Sequence, residues 1–557
     1  MGFDLIRDST VGQIVNYLSS GRILPYPDQL SGYAVPTRFL ASSDANEKGV
    51  QLSGATTPSE LKRESSLATL TATQAPATGK LEDGKDVYDP FLVDWEENDP
   101  DNPQNWSFRK RCFVGFSIAL LTFSVYIGSA IYTSCIPGLM VEFDVSLVRA
   151  TLGLTLYVLA YGIGPMFFTP FQELPLLGRN PVYMTTLFLF VVLQVPIITA
   201  KNMNTVLALR FLTGLFGSPA LATGGASMGD IFPANPYAIG VWALGAVAGP
   251  ITGPVIGGFA AQAESWTWPI LELLWIGGFS LVFLCFLLPE TYGPTILLRR
   301  ARRLRTLTGN PELKTATERA GKARTVTGQI YDALVQPLIL SIEPVVLFCD
   351  IYIGFVYAMF YLWFEAFPLV FTDIYHFNEG VEGLPFLGFL VSGTITYAFY
   401  CLYITFHLDP RTARAAADNK ELAPEVKLEL GLMASISIPT SVLIFGFASK
   451  ASIPWIVPVI GAALYLPGIF LVFQSVINYL IAAYPNHAAP ILAANALFRS
   501  AIASVFPLFG RAFFHNLGLG PGSALLAGLA FFLMVVYAVL LKYAHVLRKR
   551  SKYALSD

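Results

Sequence analysis

W-A-L-G-A-V-A-G-P-I-T-G-P-V-I-G-G, Trp242 to Gly258, places glycine at Gly245, Gly249, Gly253 and Gly257 inside an otherwise apolar run. Residues four apart share one face of an α-helix, so the segment presents a bare groove on which a neighbouring backbone can close. Pro250 and Pro254 each withhold a donor and free a carbonyl one turn earlier, which bends the helix. A tight seam between lipid-embedded helices explains the glycines. The repeated glycine-proline pairs point beyond packing.

The composition supplies the bilayer. Of 557 residues, 54% are hydrophobic and 13% charged, against about 25% charged in a soluble domain. The formal net charge of -2 argues against a nucleic-acid partner. Cys112, Cys135, Cys285, Cys349 and Cys401 lie in or beside apolar runs without C-x-x-C spacing. They read as small buried hydrophobes, and no disulfide or metal site is expected. Met1 to Leu18 mixes Asp4, Arg7 and Asp8 with apolar residues, unlike a cleavable signal peptide, and Ile6 occupies the place a myristoylation signal gives to Ser or Thr. Within it Phe3, Ile6, Val11, Ile14, Val15 and Leu18 recur at near-helical spacing and predict a short amphipathic helix. Ser42 to Lys85, rich in Ser, Thr, Ala and Pro, is expected to be disordered.

Twelve apolar runs follow, each long enough to cross a bilayer. Six lie at about 112–136, 149–171, 182–200, 204–226, 237–262 and 269–289. Six more lie at about 344–371, 384–407, 430–449, 453–484, 489–514 and 521–545. The expected organisation is an N-terminal region (1–110), a first six-helix bundle (111–289), a charged central loop (290–343), a second bundle (344–546) and a tail (547–557). Basic residues orient it. Arg109, Lys110 and Arg111 precede span 1; Arg299, Arg300, Arg302, Arg303 and Arg305 follow span 6; Arg548, Lys549, Arg550 and Lys552 follow span 12. Both termini and the central loop are therefore expected on the cytoplasmic side. The sequon Asn105-Trp106-Ser107 falls there too, and is expected to stay unglycosylated.

Charges inside spans are costly and usually functional. Arg210 lies in span 4, which ends at Asp230. Twenty residues of helix rise about 30 Å, so these two cannot pair. Asp230 is instead level with Arg179 in the loop P-F-Q-E-L-P-L-L-G-R-N (Pro170–Asn180), where Glu173 supplies an acid. A charge-assisted Arg179–Asp230 pair is expected at a cytoplasmic gate, with Arg499 of span 11 as a further gate charge. Span 7 sets Asp350, Gly354, Tyr357, Tyr361, Glu365 and Pro368 on one helical stripe. Asp350 and Glu365, with Arg210, are the candidates for proton coupling, since intramembrane carboxylates can take up and release protons. Span 1 holds no acid. Tyr357, Tyr361, Phe364, Gln474, Asn478, Asn495 and Phe498 are the candidate cavity residues, although interhelical hydrogen bonds would also explain Gln and Asn.

The glycine-proline run of span 5 resembles the antiporter motif of major facilitator drug exporters, and Pro170–Asn180 resembles that superfamily's loop between spans 2 and 3. D-P-D-N-P-Q-N-W (Asp99–Trp106), R-F-L-T-G-L-F-G-S-P-A-L-A-T-G-G-A-S-M-G-D (Arg210–Asp230), F-E-A-F-P (Phe364–Pro368), I-Y-H-F (Ile374–Phe377), F-P-L-F-G-R-A (Phe506–Ala512) and R-K-R-S-K-Y-A (Arg548–Ala554) are similar to the fungal twelve-span drug:proton antiporters. Thr267, between two tryptophans, departs from the Arg common there, and Asp230–Tyr237 is short. The resemblance implies an all-α major facilitator fold, two six-helix bundles with pseudo-two-fold symmetry. It implies a monomer in the plasma membrane that exports varied toxic compounds, such as azoles and benomyl-like fungicides, in exchange for protons. No cofactor beyond the proton gradient is expected, and the chain is not an enzyme. G-x-x-x-x-G-K-[ST] is absent, which disfavours an ATP-driven pump. A narrow exporter of a polyamine or fungal toxin, or a nutrient sensor with a long cytoplasmic arm, are the alternatives.

Overall fold

Four of the first six spans start at a side-chain cap, which satisfies orphan backbone donors where a helix begins. Ser107 accepts from Lys110 N, Ser146 from Arg149 N, Asn202 from Thr205 N, and Asn235 from Tyr237 N and Ala238 N. The computed structural model describes residues 2–30, 32–33, 35–36, 39, 78–79, 87–89, 91–233, 235–319, 326–418 and 422–554. Nearly all of Ser42 to Lys85 lies outside them.

Among the described residues, 12 helices are long and apolar enough to cross a membrane. Spans 1 to 6 are Phe108–Phe143, Leu147–Gln172, Arg179–Ile198, Met203–Ile231, Pro236–Ala263 and Trp268–Leu287. Spans 7 to 12 are Pro344–Thr372, Glu379–Ala417, Pro424–Ala448, Ile456–Ala483, Ala488–Leu517 and Leu519–Arg550. Several outrun the apolar runs, because a helix continues into polar sequence until a cap or breaker stops it. Arg548–Arg550 are thus the last turn of span 12. Proline-rich span 10 breaks briefly at Leu464 between two helical pieces.

In the first bundle span 1 packs on span 5 and span 2 on span 4; in the second, span 7 packs on span 11. Spans 2 and 11, and spans 5 and 8, meet across the two bundles. Twelve crossings return the chain to the face where it began, the terminal face.

On that face the turn Pro27–Gln29 and the strand Leu92–Val93 pack against the helix Gly293–Thr308, while the helices Gly2–Asp8 and Thr10–Leu18 pack against span 6. Arg303 grips Asp28 at 2.8 and 3.0 Å, and Arg300 holds Asp99 at 2.5 and 3.0 Å and Asp101 at 2.9 Å. Burial acts to raise the Asp99 carboxyl, but the hydrogen bonds and charge of Arg300 win and hold it below its ordinary value. A folded-state pKa held down contributes stability above the unfolded value and loses it as pH falls through the folded value. Protease cleavage within the arm is therefore expected to accelerate below about pH 4, and Asp99→Asn should show fast cleavage at neutral pH as well.

Candidate functional site

Midway along the spans an apolar cavity lies between the bundles. Trp242, Ala246 and Pro250 of span 5 line one wall, Ile353, Tyr357 and Phe360 of span 7 another, and Leu466, Phe470 and Phe473 of span 10 a third. Tyr126 and Leu221 close the first-bundle side. Among the described residues, Arg499 is the one charged side chain in the lining. Its guanidinium lies 5.0 Å from the ring centroids of both Tyr357 and Phe473, and its buried Nε has no hydrogen-bond partner among the described residues.

That position corrects the grouping of Arg499 with the gate charges. Eleven residues into its span, or about 16 Å of rise, Arg499 is at cavity depth, away from Arg179 and Asp230. The span 7 stripe is corrected too, because Asp350, Gly354 and Glu365 face span 11. Asp350 is fully buried and accepts from Asn495 Nδ2 at 2.8 Å. A methyl on Gly354 would lie 2.5 Å from Ile502, and one on Gly510 would lie 3.1 Å from Glu365 Cβ. Small residues on both helices let this seam close, leaving only Tyr357 of the stripe to line the cavity.

Tyr361 is completely buried and stands beyond the cavity wall. Its hydroxyl meets Tyr161 at 3.0 Å and Ser129 at 3.2 Å, while Tyr161 meets Tyr357 at 2.7 Å. This network ties spans 1, 2 and 7 together. Phe364 stacks on Phe386 at 5.2 Å in an aromatic block that includes Phe367 and Phe389. That block fills the second bundle toward the face opposite the termini. Gln474 is buried beside the cavity, Asn478 hydrogen-bonds Tyr400 of span 8, Asn495 is committed to Asp350, and Phe498 is half-buried outside the lining. Interhelical bonding consumes Asn478 and Asn495, whereas the buried Nε2 of Gln474 has no hydrogen-bond partner among the described residues.

The glycines of span 5 stand against the backbone of span 1. A methyl on Gly249 would lie 2.9 Å from Ile127 N, one on Gly253 2.7 Å from Ile131 N, and one on Gly257 2.9 Å from Ile131 Cγ1. At Gly245 the nearest atom is Ala119 Cβ, at 3.4 Å. The same helix turns Trp242, Ala246 and Pro250 to the cavity.

Arg179 and Asp230 meet as a bidentate pair. Nε lies 2.9 Å from Oδ2, and Nη2 donates to Oδ1 at 3.1 Å. Both belong to the first bundle, so the pair ties the start of span 3 to the end of span 4 and does not bolt the halves together. Glu173 makes no ion pair with Arg179 among the described residues; its carbonyl accepts from Tyr292, and burial raises its carboxyl, opposed by Arg179. Sequence reasoning missed Glu290. Its carboxylate accepts from Arg179 N at 3.1 Å and Asn180 N at 3.2 Å, and so caps span 3 where the helix dipole favours an anion. Gly178 turns into that cap at φ +79, and a side chain there would strike Glu290 Oε2 at 2.5 Å. The available signal was an acid directly after an apolar run, Pro289-Glu290-Thr291.

Among the described residues, Arg210 finds no carboxylate. Fully buried, it donates to Gly128 O at 2.8 Å and Gly153 O at 3.3 Å, between the rings of Tyr132 and Tyr157 at 4.5 and 4.2 Å. Carbonyl dipoles and aromatic faces replace a counter-ion, joining spans 1, 2 and 4. Glu365 is buried without an ion pair among the described residues, and the charge of Arg511 acts on it.

Residues 118–507 match the family model described as Major Facilitator Superfamily. The chain belongs to that superfamily. Among the superfamily's curated members, Transporter mfs1 of Schizosaccharomyces pombe is 42% identical over 83% of this chain and 88% of its own. Cycloheximide resistance protein of Candida maltosa is 36% identical over 99% of both chains. Fluconazole resistance protein 1 of Saccharomyces cerevisiae is 38% identical over 84% of this chain and 85% of its own. Among solved major facilitator structures, the proton:xylose symporter XylE superposes with TM-score 0.55 at 13% identity, over 78% of this chain and 96% of its own. That likeness bears on the fold alone.

Proposed function

We propose that this protein exports structurally varied, largely neutral toxic compounds across the plasma membrane in exchange for protons, by alternating access. The observation that carries the reading is the cavity. It is walled by aliphatic and aromatic side chains from both bundles and holds no carboxylate among its lining residues. An apolar wall with few fixed polar groups accepts many shapes, because burial of apolar surface is non-directional. Relatives named for resistance to cycloheximide and fluconazole support it. The lone guanidinium of Arg499 disfavours a polyamine, whose charges would face a cation in low dielectric.

In this reading the terminal face is cytoplasmic and the protein acts as a monomer. Asp350 and Glu365 are the proton carriers, and Arg210 fixes the geometry of spans 1, 2 and 4 around the cavity. Export needs no cofactor beyond the proton gradient. In a pump-deficient yeast, expression is expected to lower intracellular azole several-fold, and a protonophore should abolish the difference. Efflux that persists under the protonophore would remove proton coupling. Protection confined to a single compound would favour a dedicated metabolite exporter.

A further inference from the structure

The helix Thr10–Leu18 is built inside out for a water-facing element. The side it turns inward is small and polar: a methyl on Gly12 would lie 1.8 Å from the carbonyl of Ile6, and Asn16 Nδ2 donates to Leu24 O at 2.8 Å and Gln29 Oε1 at 3.0 Å. Its outward side is apolar. Ile14, Tyr17 and Leu18, at i, i+3 and i+4, are 53%, 83% and 76% exposed. Packing against the protein explains the inward side but not the outward one, since those apolar side chains touch little of it.

The helix also sits at a defined depth. Ser9 forms a β-bridge with Pro289, two residues past the end of span 6, and Thr10 Oγ1 donates to Asn180 Oδ1, in the first turn of span 3, at 3.2 Å. The helix itself touches spans 3 and 6. The outer surfaces of those spans are apolar and uncovered, with Phe188 53%, Phe279 64% and Phe286 48% exposed, as lipid-facing side chains must be. The apolar side of the helix thus continues the lipid-facing surface at the edge of the membrane.

We propose that Thr10–Leu18 is an interfacial helix, lying at the terminal face with Ile14, Tyr17 and Leu18 seated in the boundary between lipid headgroups and acyl chains. A strip of this kind is unfavourable in water and favourable at a bilayer surface. The occupant is the bilayer itself, because the strip adjoins the lipid-facing surfaces of spans 3 and 6. Through Asn180 the helix fastens the chain entry to the residue next to Arg179.

The test uses the full-length protein in phosphatidylcholine–phosphatidylserine nanodiscs, with Cys112, Cys285 and Cys401 changed to serine. Spin labels are placed singly through Gln13→Cys, Ile14→Cys, Tyr17→Cys and Leu18→Cys, with Arg302→Cys as a water-facing reference. Collision with oxygen, which partitions into lipid, is compared with collision with a water-soluble nickel chelate. The oxygen-to-nickel ratio is expected to be several-fold higher at 14, 17 and 18 than at 13 and 302. Ratios at 17 and 18 equal to that at 302 would overturn the proposal by placing the strip in water. Exclusion of both probes would overturn it by showing a protein, or a second copy of this chain, on the strip. Independently, Tyr17→Asp with Leu18→Asp should speed tryptic cleavage after Arg22 by about tenfold or more; unchanged cleavage would also count against it.

Discussion

Gly253→Leu is expected to cut efflux by about tenfold or more, with near-normal amounts of protein at the membrane. At this position even a methyl would lie 2.7 Å from a backbone nitrogen of span 1 and 3.0 Å from Ala130. Backbone cannot yield as a flexible side chain can, so spans 1 and 5 must part. Overpacking of this kind costs about 1–3 kcal/mol, and here it displaces a helix whose next face lines the cavity through Ala246 and Pro250. Gly249→Leu should behave alike, with its methyl position 2.9 Å from Ile127 N. Gly245→Ala, with 3.4 Å to Ala119 Cβ, should keep most activity. Efflux measured at matched surface expression decides the matter. Equal tolerance at all three positions would make the seam incidental.

The second large effect is expected from Asp230→Asn. The change removes the charge that Arg179 meets through two nitrogens, and leaves a guanidinium only 8% exposed without its counter-ion. Breaking a fully buried pair costs about 3–5 kcal/mol. Asp230, with its side chain 20% exposed, is less desolvated, so about 1–3 kcal/mol is the fitting range. Efflux should fall several-fold. Because both residues belong to the first bundle, the loss acts through the relative placement of spans 3 and 4. The exchange Arg179→Asp with Asp230→Arg should recover part of the activity. Recovery stays incomplete because it sets a second carboxylate beside Glu290, which caps the same helix start. A double mutant no better than the worse single one would end the assignment.

Much of the architecture was legible because hydropathy and helix period report directly on a bilayer. The twelve spans and the bare face of span 5 were both readable, as was the level at which Arg179 and Asp230 meet. Those inferences need only rise per residue and chain parity. The cavity was less legible, for a definite reason. Within a span buried over most of its length, as span 7 is, a stripe of Asp350, Tyr361 and Glu365 does not reveal which neighbour it faces. Gly354 and Gly510 decide it, and they act through span 11, some 150 residues downstream. Arg499 was misplaced because a basic residue near the start of a span looks like a gate charge until its depth is counted. Glu290 stands shortly before the basic residues that follow span 6, far in sequence from the helix it caps. A cap on span 3 that arrives from the end of span 6 leaves no local signal at the helix it caps.

Span 5 also meets span 8 across the bundles, and at two points of that contact, Gly383 and Gly258, it is nearly bare. A methyl on Gly383 would lie 2.4 Å from Pro254 O, and one on Gly258 would lie 2.5 Å from Glu379 O. At these points main chain rests on main chain, with no side chain interlocked between them. Meshed helices must unpack their knobs before they slip, whereas this contact works like a plain bearing, two smooth surfaces that hold their spacing under load. The bundles can rock about these two points without unpacking interlocked side chains there, and one substitution larger than glycine at either point would turn the bearing into a ratchet.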